Sequence, residues 1–487
     1  MLATADRAAF LDRLRATLGE GIVRAPVADD APELCDYHRR YHGRALALVE
    51  PRDTGQVAAL LRLCHESRVG VVPQGGNTGY AGGATPDAGG GQVLVVMRRM
   101  NRIRAVDALN FTLTAEAGCT LHAVQQAAAA ADRFFPLSLG SQQSCQIGGN
   151  LATNAGGVNV LRFGMMRDLA LGIEAVLPDG RVLAGLGGLR KDNTGYDLKS
   201  LLIGSEGTLA IITAATLKLW PAPHAHATAL LAVADPHAAI RLLAVLRAQA
   251  GDRLTSFELM PHDALEMVRA QLPQLRQPYH PAPPFAVLCE LASGTDEALD
   301  EVLQGALLTP AAQAEIQDAV LARSGAERAA LWQLRENIPD AQRRHGPSLK
   351  HDISVPVDAI PAFMHRVADW ARGALPDAIL ICYGHAGDGN LHCNFSARTG
   401  VDGAAFLARE AAVRSAVHDL VGEFHGSISA EHGIGQSKVR ELQQRASPVK
   451  LALMAQLKAA IDPRGIMNPG KLLPVDGASS GSAPIPR

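Results

Sequence analysis

The segment PQGGNTGYAGG (residues 73–83) is the stretch on which the interpretation of this chain depends. It follows a short β-like run at 69–72, and five of its eleven residues are glycine. Glycine lacks a side chain, so successive backbone N–H groups can converge on an anion, and such a nest suits a diphosphate. The Rossmann fingerprint is disfavoured because its glycines must open a helix. On these residues alone, the segment is either a phosphate-binding loop or a turn-rich connection.

Length and composition exclude several classes of protein. The 487 residues suggest roughly three domains. The 46 basic and 48 acidic residues leave a net charge of −2 without a basic block, which predicts no nucleic-acid partner. No apolar run approaches the ~18 residues of a transmembrane segment, and charges interrupt the first 14 residues, so a cytoplasmic protein is expected. The seven cysteines are scattered and contain no C-x-x-C, which indicates neither a disulfide framework nor a thiolate zinc site.

The hydrophobic pattern predicts an α+β protein with a boundary at Pro221, where a β-branched run ends. Before it, strands and helices are mixed, starting with a helix over residues 1–20. After it, the order is strand, helix, strand, as in an α+β cap. We expect a first domain at 1–221 and a second domain at 222–440. A C-terminal helical segment at 441–475 and a disordered tail at 476–487 follow.

Two further segments extend the pattern, PLSLGSQQSCQIGGNLATNAGG (136–157) and KDNTGYDLKSLLIGSEGTLAIIT (191–213). In this order and spacing, the three segments resemble the FAD-binding domain of the vanillyl-alcohol oxidase, or p-cresol methylhydroxylase (PCMH), superfamily. With the motifs after residue 330, about residues 35–475 resemble the D-2-hydroxyglutarate and D-lactate dehydrogenase branch. The resemblance implies a PCMH-type FAD-binding domain of two α/β subdomains. It also implies an α+β cap with an antiparallel sheet, and a C-terminal helical segment that returns to the FAD domain.

The resemblance also implies which residues hold FAD. Residues 73–79 would wrap the diphosphate, 136–157 would line the isoalloxazine and ribityl chain, and 206–212 would hold the adenine end. Covalently flavinylated relatives carry histidine where this chain has Asn77, so FAD is expected to be non-covalent and Cys145 a packed thiol. The implied cofactor residues are Pro73, Gln74, Gly75, Gly76, Asn77, Thr78, Gly79, Pro136, Leu137, Ser141, Gly148, Gly149, Asn150, Thr153, Asn154, Gly157, Glu206, Gly207, Ile211, Ile212 and Asn468.

A second constellation lies in YGHAGDGNLHCN (383–394). His385 and His392 flank a predicted hairpin loop, and Glu431 in the distant SAEHGIGQ (429–436) could add a carboxylate. Two imidazoles and one carboxylate suit a catalytic zinc or a similar divalent ion, and hydrogen-bonded structural histidines are the alternative. The resembled branch uses this histidine pair and this glutamate as metal ligands, which implies a divalent metal here, with Zn²⁺ as the first choice.

The substrate-binding residues are predicted around this metal. Arg335 falls on a helix that Pro339 must end or kink, where it either binds a carboxylate or lies on a solvated face. In relatives the matching arginine binds the C1 carboxylate and the residue matching Lys350 binds the distal one. Pro339 replaces a hydroxyl residue found in many relatives, which counts against a dicarboxylic substrate. His432 is the predicted general base, and Asn394 is expected to assist substrate binding.

These assignments predict FAD- and metal-dependent oxidation of a D-2-hydroxy acid by hydride transfer to flavin N5. D-2-hydroxyglutarate, oxidised to 2-oxoglutarate, is the leading substrate, and D-lactate, D-malate and glycolate are the alternatives. A metal-dependent hydrolase would leave the glycine-rich segments unexplained, and a binding protein without turnover is the third reading. The expected electron acceptor is an electron-transfer flavoprotein or a quinone, and the sequence leaves a homodimer open.

Overall fold

The computed structural model describes residues 4–25 and 27–474. The helix predicted over residues 1–20 spans Thr4–Leu18, whereas the predicted tail at 476–487 lies outside the described residues. Within residues 4–25 and 27–474, no helix combines the length and the apolar character needed to cross a membrane.

The first subdomain is a four-stranded sheet covered by helices. The strand order is β1-β2-β4-β3, with β2, β4 and β3 parallel. Helix α2 begins where Asp53 Oδ1 accepts the Gln56 backbone N–H at 2.8 Å, and it buries an apolar face that includes Val57 and Leu61. The elements are α1 (Thr4–Leu18), β1 (Val23–Arg24), β2 (Ala45–Val49), α2 (Thr54–Ser67), β3 (Val71–Gln74) and β4 (Gln92–Val96).

The second subdomain is built on a five-stranded antiparallel sheet of order β5-β6-β10-β8-β9. Its elements are β5 (Ile103–Asp107), β6 (Thr112–Glu116), α3 (Leu121–Ala130), β7 (Arg133–Phe134), α4 (Ile147–Thr153), α5 (Val160–Phe163), α6 (Met166–Leu169), β8 (Ala170–Val176), β9 (Val182–Gly185), α7 (Leu198–Leu202), β10 (Ile211–Lys218) and β11 (Trp220–Pro221). The predicted boundary residue Pro221 is therefore the last residue of a short strand that pairs with β7.

The cap domain starts with an antiparallel sheet of order β13-β14-β12-β15. Its elements are β12 (Ala225–Val233), α8 (Pro236–Ala250), β13 (Leu254–Pro261), α9 (His262–Gln271), β14 (Phe285–Ser293), α10 (Leu299–Leu307), α11 (Pro310–Gln313), β15 (Ile316–Leu321), α12 (Gly325–Glu336) and α13 (Ile338–His345). The break between α12 and α13 precedes Pro339, in the first turn of α13, as its missing N–H requires.

A second antiparallel sheet completes the cap, for which the sequence predicted an antiparallel sheet. In it, β19 pairs with β16, β17 and β18. The two sheets are joined where Leu259 and Gly384 exchange both backbone hydrogen bonds, at 2.9 and 3.0 Å. The remaining elements are β16 (Ser348–Leu349), β17 (Asp352–Ser354), α14 (Ile360–Ala374), β18 (Ala378–Tyr383), β19 (Asn390–Ala397), α15 (Gly403–Leu407), α16 (Glu410–Glu423), α17 (Val439–Arg445) and α18 (Pro448–Ile461).

The polypeptide then returns to the first subdomain. Val71 in β3 donates its N–H to Ile466 and accepts the N–H of Asn468, each at 2.8 Å. A second link comes from the loop before α17, where the N–H of Gln436 donates to the carbonyl oxygen of Ala81 at 3.0 Å. This loop therefore contacts the N-terminal domain next to its glycine-rich segment.

Candidate active site

A cleft in the N-terminal domain is lined by the glycine-rich segments. The loop after β3, the helix α4 and the loop before β10 form its walls, and His432 from the cap closes one end. The predicted cofactor residues that line it are Pro73, Gln74, Gly75, Gly76, Asn77, Thr78, Gly79, Gly148, Gly149, Asn150, Thr153, Glu206, Gly207, Ile211 and Ile212. The structure thus brings three distant parts of the sequence to one cleft.

The loop after β3 fits an extended anionic cofactor such as FAD. The backbone N–H groups of residues 76–79 donate to no protein acceptor in the described part of the chain, so they are free to bind a phosphate. A Cβ atom at Gly79 or Gly149 would have no heavy atom within 4 Å. Because both glycines line the cleft, a side chain there would occupy the space in which the cofactor must lie.

Six predicted cofactor residues lie outside the lining of this cleft. Leu137 instead lines a separate cavity of about 550 Å³ between the two domains, and Asn154 ends α4 in a left-handed conformation with φ 51°. The amide group of Asn468 donates to the carbonyl oxygens of Gly83 and Glu206, at 2.9 and 2.8 Å, so it ties two cleft loops together. The other three are Pro136, Ser141 and Gly157.

The residues that bear on covalent flavin attachment are engaged within the protein. The side-chain amide of Asn77 donates to the carbonyl oxygen of Cys35 at 2.8 Å. Cys145 is buried, and burial raises the pKa of its thiol. A thiol held in the neutral form is a poor nucleophile, which agrees with a packing role.

Glu206, the first residue of the predicted adenine-binding segment, also has a structural role. Its two carboxylate oxygens accept the backbone N–H groups of Ile434 and Gly435, at 2.8 and 2.6 Å. Burial raises the pKa of Glu206 despite these hydrogen bonds. The residue therefore holds the loop that carries Glu431 and His432 against the N-terminal domain.

The cap strands assemble the predicted metal ligands. In the sheet, β19 places His392 between Tyr383 on β18 and Asp352 on β17. His385 follows β18 directly, and its ring lies 5.8 Å from the ring of His392. The hairpin predicted from the sequence thus brings the two imidazoles together.

Glu431 completes this cluster from the loop before α17. One potential ligand atom from each of His385, His392 and Glu431 lies within 4.8 Å of the others, and His385 Nε2 is 4.0 Å from Glu431 Oε1. A Cβ atom at Gly156 would lie 3.1 Å from Glu431 Oε1, so the N-terminal domain approaches the cluster closely at this glycine. The donor set of two imidazoles and a carboxylate fits a catalytic zinc or a similar ion.

Two buried carboxylates that sequence analysis missed support the cluster. Glu258 on β13 accepts from His385 Nδ1 at 2.6 Å and from Arg335 Nε at 2.6 Å. Asp352 Oδ2 accepts the backbone N–H groups of Glu431 and His432, at 2.8 and 3.0 Å. Asp352 also forms a second potential ligand set with these two residues. The available signal for Glu258 was a carboxylate between the apolar residues Phe257 and Leu259, and neither Glu258 nor Asp352 belongs to a motif.

The protonation states of the cluster follow from its surroundings. Burial opposes charge on His385, but the Glu258 and Glu431 carboxylates outweigh it and raise the pKa of His385 to about 9. Burial, with the Asp352 charge, raises the pKa of Glu431 to about 7 against the effect of His385. Burial and Arg335 lower the pKa of His392 to about 3, which leaves a neutral imidazole with a free lone pair.

His432 lies where the cleft meets the metal cluster. Its ring is 4.7 Å from the ring of Tyr80, which belongs to the glycine-rich loop, and its backbone is fixed by Asp352. Burial lowers the pKa of His432 even though the Asp352 carboxylate acts in the opposite sense. A neutral imidazole at this junction can accept a proton at neutral pH.

The three predicted substrate residues differ in how many of their polar atoms are already bonded within the protein. Arg335 is buried over the Tyr383 ring, and its two terminal nitrogens donate to no group among the residues that the structure describes. Lys350 is exposed and forms no ion pair within residues 4–25 and 27–474. Asn394 is already engaged at both ends of its amide, with Gln342 and with the His351 N–H, each at 3.0 Å. Its amide nitrogen keeps a second N–H, and its contact with substrate stays a prediction.

The cleft and the histidine and glutamate cluster meet at the interface of two domains, and both domains match families of FAD-dependent proteins. The FAD binding domain family matches residues 45–185, and the family of FAD linked oxidases, C-terminal domain, matches residues 222–472. Crystalline p-cresol methylhydroxylase with substrate bound has the same fold, with a TM-score of 0.72 at 16% identity over 97% of this chain and 98% of that one.

Two relatives define the family more narrowly. A mitochondrial D-2-hydroxyglutarate dehydrogenase of Bos taurus is 39% identical over 93% of this chain and 82% of its own length. D-2-hydroxyglutarate dehydrogenase of Xanthomonas citri pv. viticola is 38% identical over 90% of this chain and 91% of its own length. The chain belongs to this family of FAD-linked hydroxy acid dehydrogenases. The predicted family and the α+β fold with its PCMH-type domain are confirmed, and cytoplasmic location stays a prediction.

Proposed function

We propose that this protein oxidises D-2-hydroxyglutarate to 2-oxoglutarate with non-covalent FAD and a divalent metal. The observation that carries the proposal is the junction of the two sites. His385, His392 and Glu431 lie within ligand distance of one another, and His432 beside them also borders the cleft. The names of the two relatives support the substrate, and the unpaired Lys350 supports a second carboxylate.

The metal site and the base divide the proton chemistry. His385, His392 and Glu431 would hold the ion, which when bound supplies Lewis-acid polarisation of the hydroxyl group, while FAD supplies the oxidising power. His432 Nδ1 lies 3.7 Å from Asp352 Oδ2, so a proton taken up by His432 is stabilised by a buried carboxylate. His432 thus accepts the hydroxyl proton, and the Asp352 carboxylate stabilises the resulting charge.

Arg335 and Lys350 would fix the substrate at its two ends. The terminal nitrogens of Arg335 form a planar fork that can bind the C1 carboxylate in a bidentate manner. Partial desolvation, together with the charges of Arg40 and Arg343, lowers the pKa of Lys350. The ammonium group of Lys350 can bind the distal carboxylate, and the two carboxylates then orient the α-hydrogen.

D-Lactate is a second candidate substrate because of Pro339. It occupies the first turn of α13, where it has neither a hydroxyl group nor an N–H to offer a distal carboxylate. A substrate without that carboxylate would lose nothing at this position. The electron-transfer flavoprotein or quinone acceptor and the homodimer stay predictions.

Anaerobic titration of the FAD-loaded protein tests the proposed function. D-2-hydroxyglutarate is expected to bleach the flavin, L-2-hydroxyglutarate is not, and D-lactate and D-malate rank the alternatives. Removal of the metal by a strong chelator should abolish bleaching while FAD stays bound, and Zn²⁺ should restore it. Bleaching at an unchanged rate in metal-free protein would contradict the metal assignment, and no bleaching by any 2-hydroxy acid would contradict the reaction.

Acid precipitation tests how FAD is held. Because Asn77 and a neutral Cys145 offer no nucleophile, all flavin should pass into the supernatant. Yellow colour in the washed, denatured pellet would show a covalent bond instead.

A further inference from the structure

We infer that Glu258 is a positioning residue that couples the metal site to the substrate-binding arginine. It is buried on β13, and its two carboxylate oxygens are divided between the two sites. Oε1 accepts from His385 Nδ1 and Oε2 accepts from Arg335 Nε. The inference rests on the proposed function for the metal ligand and the arginine, but it assigns a role to a residue that touches neither ion nor substrate.

The fold holds Glu258 in this place through the backbone. Leu259 and Gly384 exchange both hydrogen bonds between β13 and the end of β18. Glu258 and His385 are the neighbours of this pair, so the bridge that joins the two sheets also sets their side chains next to each other. Arg335 reaches the same carboxylate from α12.

Counting donors shows why a carboxylate is needed. An ionised glutamate only accepts hydrogen bonds, so His385 must carry a proton on Nδ1 and Arg335 donates from Nε. Both carboxylate oxygens are engaged in this way, Oε1 by His385 Nδ1 and Oε2 by Arg335 Nε, each at 2.6 Å. The side-chain amide of a glutamine has one acceptor oxygen and one donor nitrogen. It could therefore accept the hydrogen bond of His385 or that of Arg335, but not both.

The bond to His385 selects the ring nitrogen that faces the metal site. Once Nε2 loses its proton, as metal binding requires, Nδ1 keeps its proton for Glu258 and the lone pair is on Nε2, which lies 4.0 Å from Glu431 Oε1. Hydrogen bonds of this kind orient a ligating histidine and make it more basic. Their loss lowers metal affinity by about 10- to 100-fold. If an amide N–H donated to Nδ1, the proton would move to Nε2 and block the ligand atom.

The hydrogen bond between Arg335 and Glu258 uses Nε and leaves the two terminal nitrogens of the guanidinium group free. Glu258 takes the Nε–H, and the Tyr383 ring lies 4.8 Å from the guanidinium carbon. The two terminal nitrogens remain for a carboxylate. Glu258 therefore fixes the distance between the C1 carboxylate site and the metal ligand His385.

Glu258→Gln tests this role against a matched control, Glu290→Gln. Glu290 is a buried glutamate on the neighbouring strand β14 and is bonded to Arg328 on α12, the helix that also carries Arg335. Among the described residues, it forms no hydrogen bond to the metal cluster. Zinc affinity of each metal-free, FAD-loaded protein is measured by competition with a chromophoric chelator. We expect a loss of about 10- to 100-fold in E258Q and unchanged affinity in E290Q.

A second readout follows the arginine without the metal. 2-Oxoglutarate is titrated into metal-free, FAD-loaded protein, and binding is followed by the change in flavin absorbance. We expect binding to weaken about tenfold in E258Q, since a charge-assisted bond is worth roughly 1.5 kcal/mol or more. E290Q should bind as the unsubstituted protein does.

The outcomes separate the inference from the proposed function. Unchanged zinc affinity in E258Q, or an equal loss in E258Q and E290Q, would overturn the positioning role. Failure of the unsubstituted protein to bind zinc would overturn the proposed metal site and this inference with it. If E258Q does not fold, the double variant Glu258→Met with Arg335→Met removes the pair together and should show the same loss of zinc affinity. Zinc binding as tight as in the unsubstituted protein would again overturn the role.

Discussion

The cap contains two glutamate–arginine pairs whose buried carboxylates lie on one sheet face, and the pairs differ in what else the carboxylate binds. Ser256 on β13 is paired with Glu290 on β14, and side chains alternate along a strand, so Glu258 and Glu290 point to the same face. Arg328 and Arg335 are seven residues apart on α12 and meet these glutamates. The two pairs therefore share a helix, a sheet face and a residue chemistry.

The other hydrogen-bond partners of Glu258 and Glu290 indicate which pair serves function and which serves folding. Glu290 is saturated by Arg328 at 2.6 and 2.7 Å, by Trp332 Nε1 at 2.8 Å and by Thr228 Oγ1 at 2.8 Å. Glu258 instead bonds a potential metal ligand, and its arginine keeps terminal nitrogens without a protein partner among the described residues. An ion pair with spare donors next to the predicted metal ligands is thus the better candidate for chemistry. The saturated pair is the better candidate for folding, although Glu290 and Arg328 line the separate cavity of about 550 Å³.

The largest expected effect is on the unfolding free energy of the protein when the saturated pair, Glu290 with Arg328, is disrupted. Burial opposes ionisation of Glu290, but Arg328 and its other partners lower its pKa to about 2, against an ordinary 4.5. At about 1.36 kcal/mol per pKa unit, Glu290→Gln should lose about 3 kcal/mol of unfolding free energy at pH 7. Urea unfolding of both proteins measures the loss.

The pH dependence of this loss has a defined sign. Because the folded-state pKa of Glu290 is depressed, its contribution is present above pH 4.5 and is lost as pH falls towards 2. The difference between the unsubstituted protein and Glu290→Gln should therefore shrink below pH 4.5. A difference that stays constant down to pH 3 would show that packing, not charge, accounts for it.

The next effect is on catalysis by the unsaturated pair. Arg335→Lys keeps a charge but cannot hold Glu258 and a carboxylate at once. We expect kcat/KM to fall about 10- to 100-fold for D-2-hydroxyglutarate and D-lactate alike, since both carry the C1 carboxylate. Arg328→Lys is the control and should lower stability with little change in kcat/KM. An equal loss of activity in both variants would remove the distinction between the pairs.

A smaller and more selective effect is expected at Lys350. Since its exposed ammonium group would meet only a distal carboxylate, Lys350→Ala should reduce kcat/KM about tenfold for D-2-hydroxyglutarate. D-Lactate should be nearly unaffected. Arg343→Ala is the control, because Arg343 is also exposed but already pairs with Asp340. The same loss for both substrates would mean that Lys350 does not bind the distal group, and would favour a smaller, monocarboxylic D-2-hydroxy acid.

The cleft could be predicted from the sequence because its signal is local. Glycines in 73–83 and 148–149 mark backbone that must approach a ligand, and the hairpin between β18 and β19 follows from strand propensity around a turn. The helix α4 over Ile147–Thr153 was not predicted, since two glycines disfavour a helix interior. Tertiary contacts override that preference.

The carboxylates behind the metal ligands could not be predicted in the same way. Glu258 lies 127 residues from its partner His385, and Asp352 lies 79 from Glu431. Glu258 shares its strand with Thr255 and Ser256, and Asp352 opens a three-residue strand that ends in Ser354. Nothing in the local sequence tells a structural glutamate such as Glu290 from Glu258. Only the pairing of Leu259 with Gly384, which depends on how two sheets meet, makes that distinction.

The smallest expected effect concerns a single hydrogen bond of the saturated pair. Trp332→Phe removes the indole N–H that Glu290 accepts at 2.8 Å, while Arg328 and Thr228 still bond the carboxylate. We expect a loss of about 1 to 2 kcal/mol in unfolding free energy, since a bond to a charged acceptor is lost and the smaller ring fills less of the site. Urea unfolding at pH 7 measures it, and kcat/KM and zinc affinity should not change. Because Trp332 lies between Arg328 and Arg335 on α12, a fall in kcat/KM without a change in stability would show that the two pairs are coupled through the helix and that the separation drawn between them is wrong.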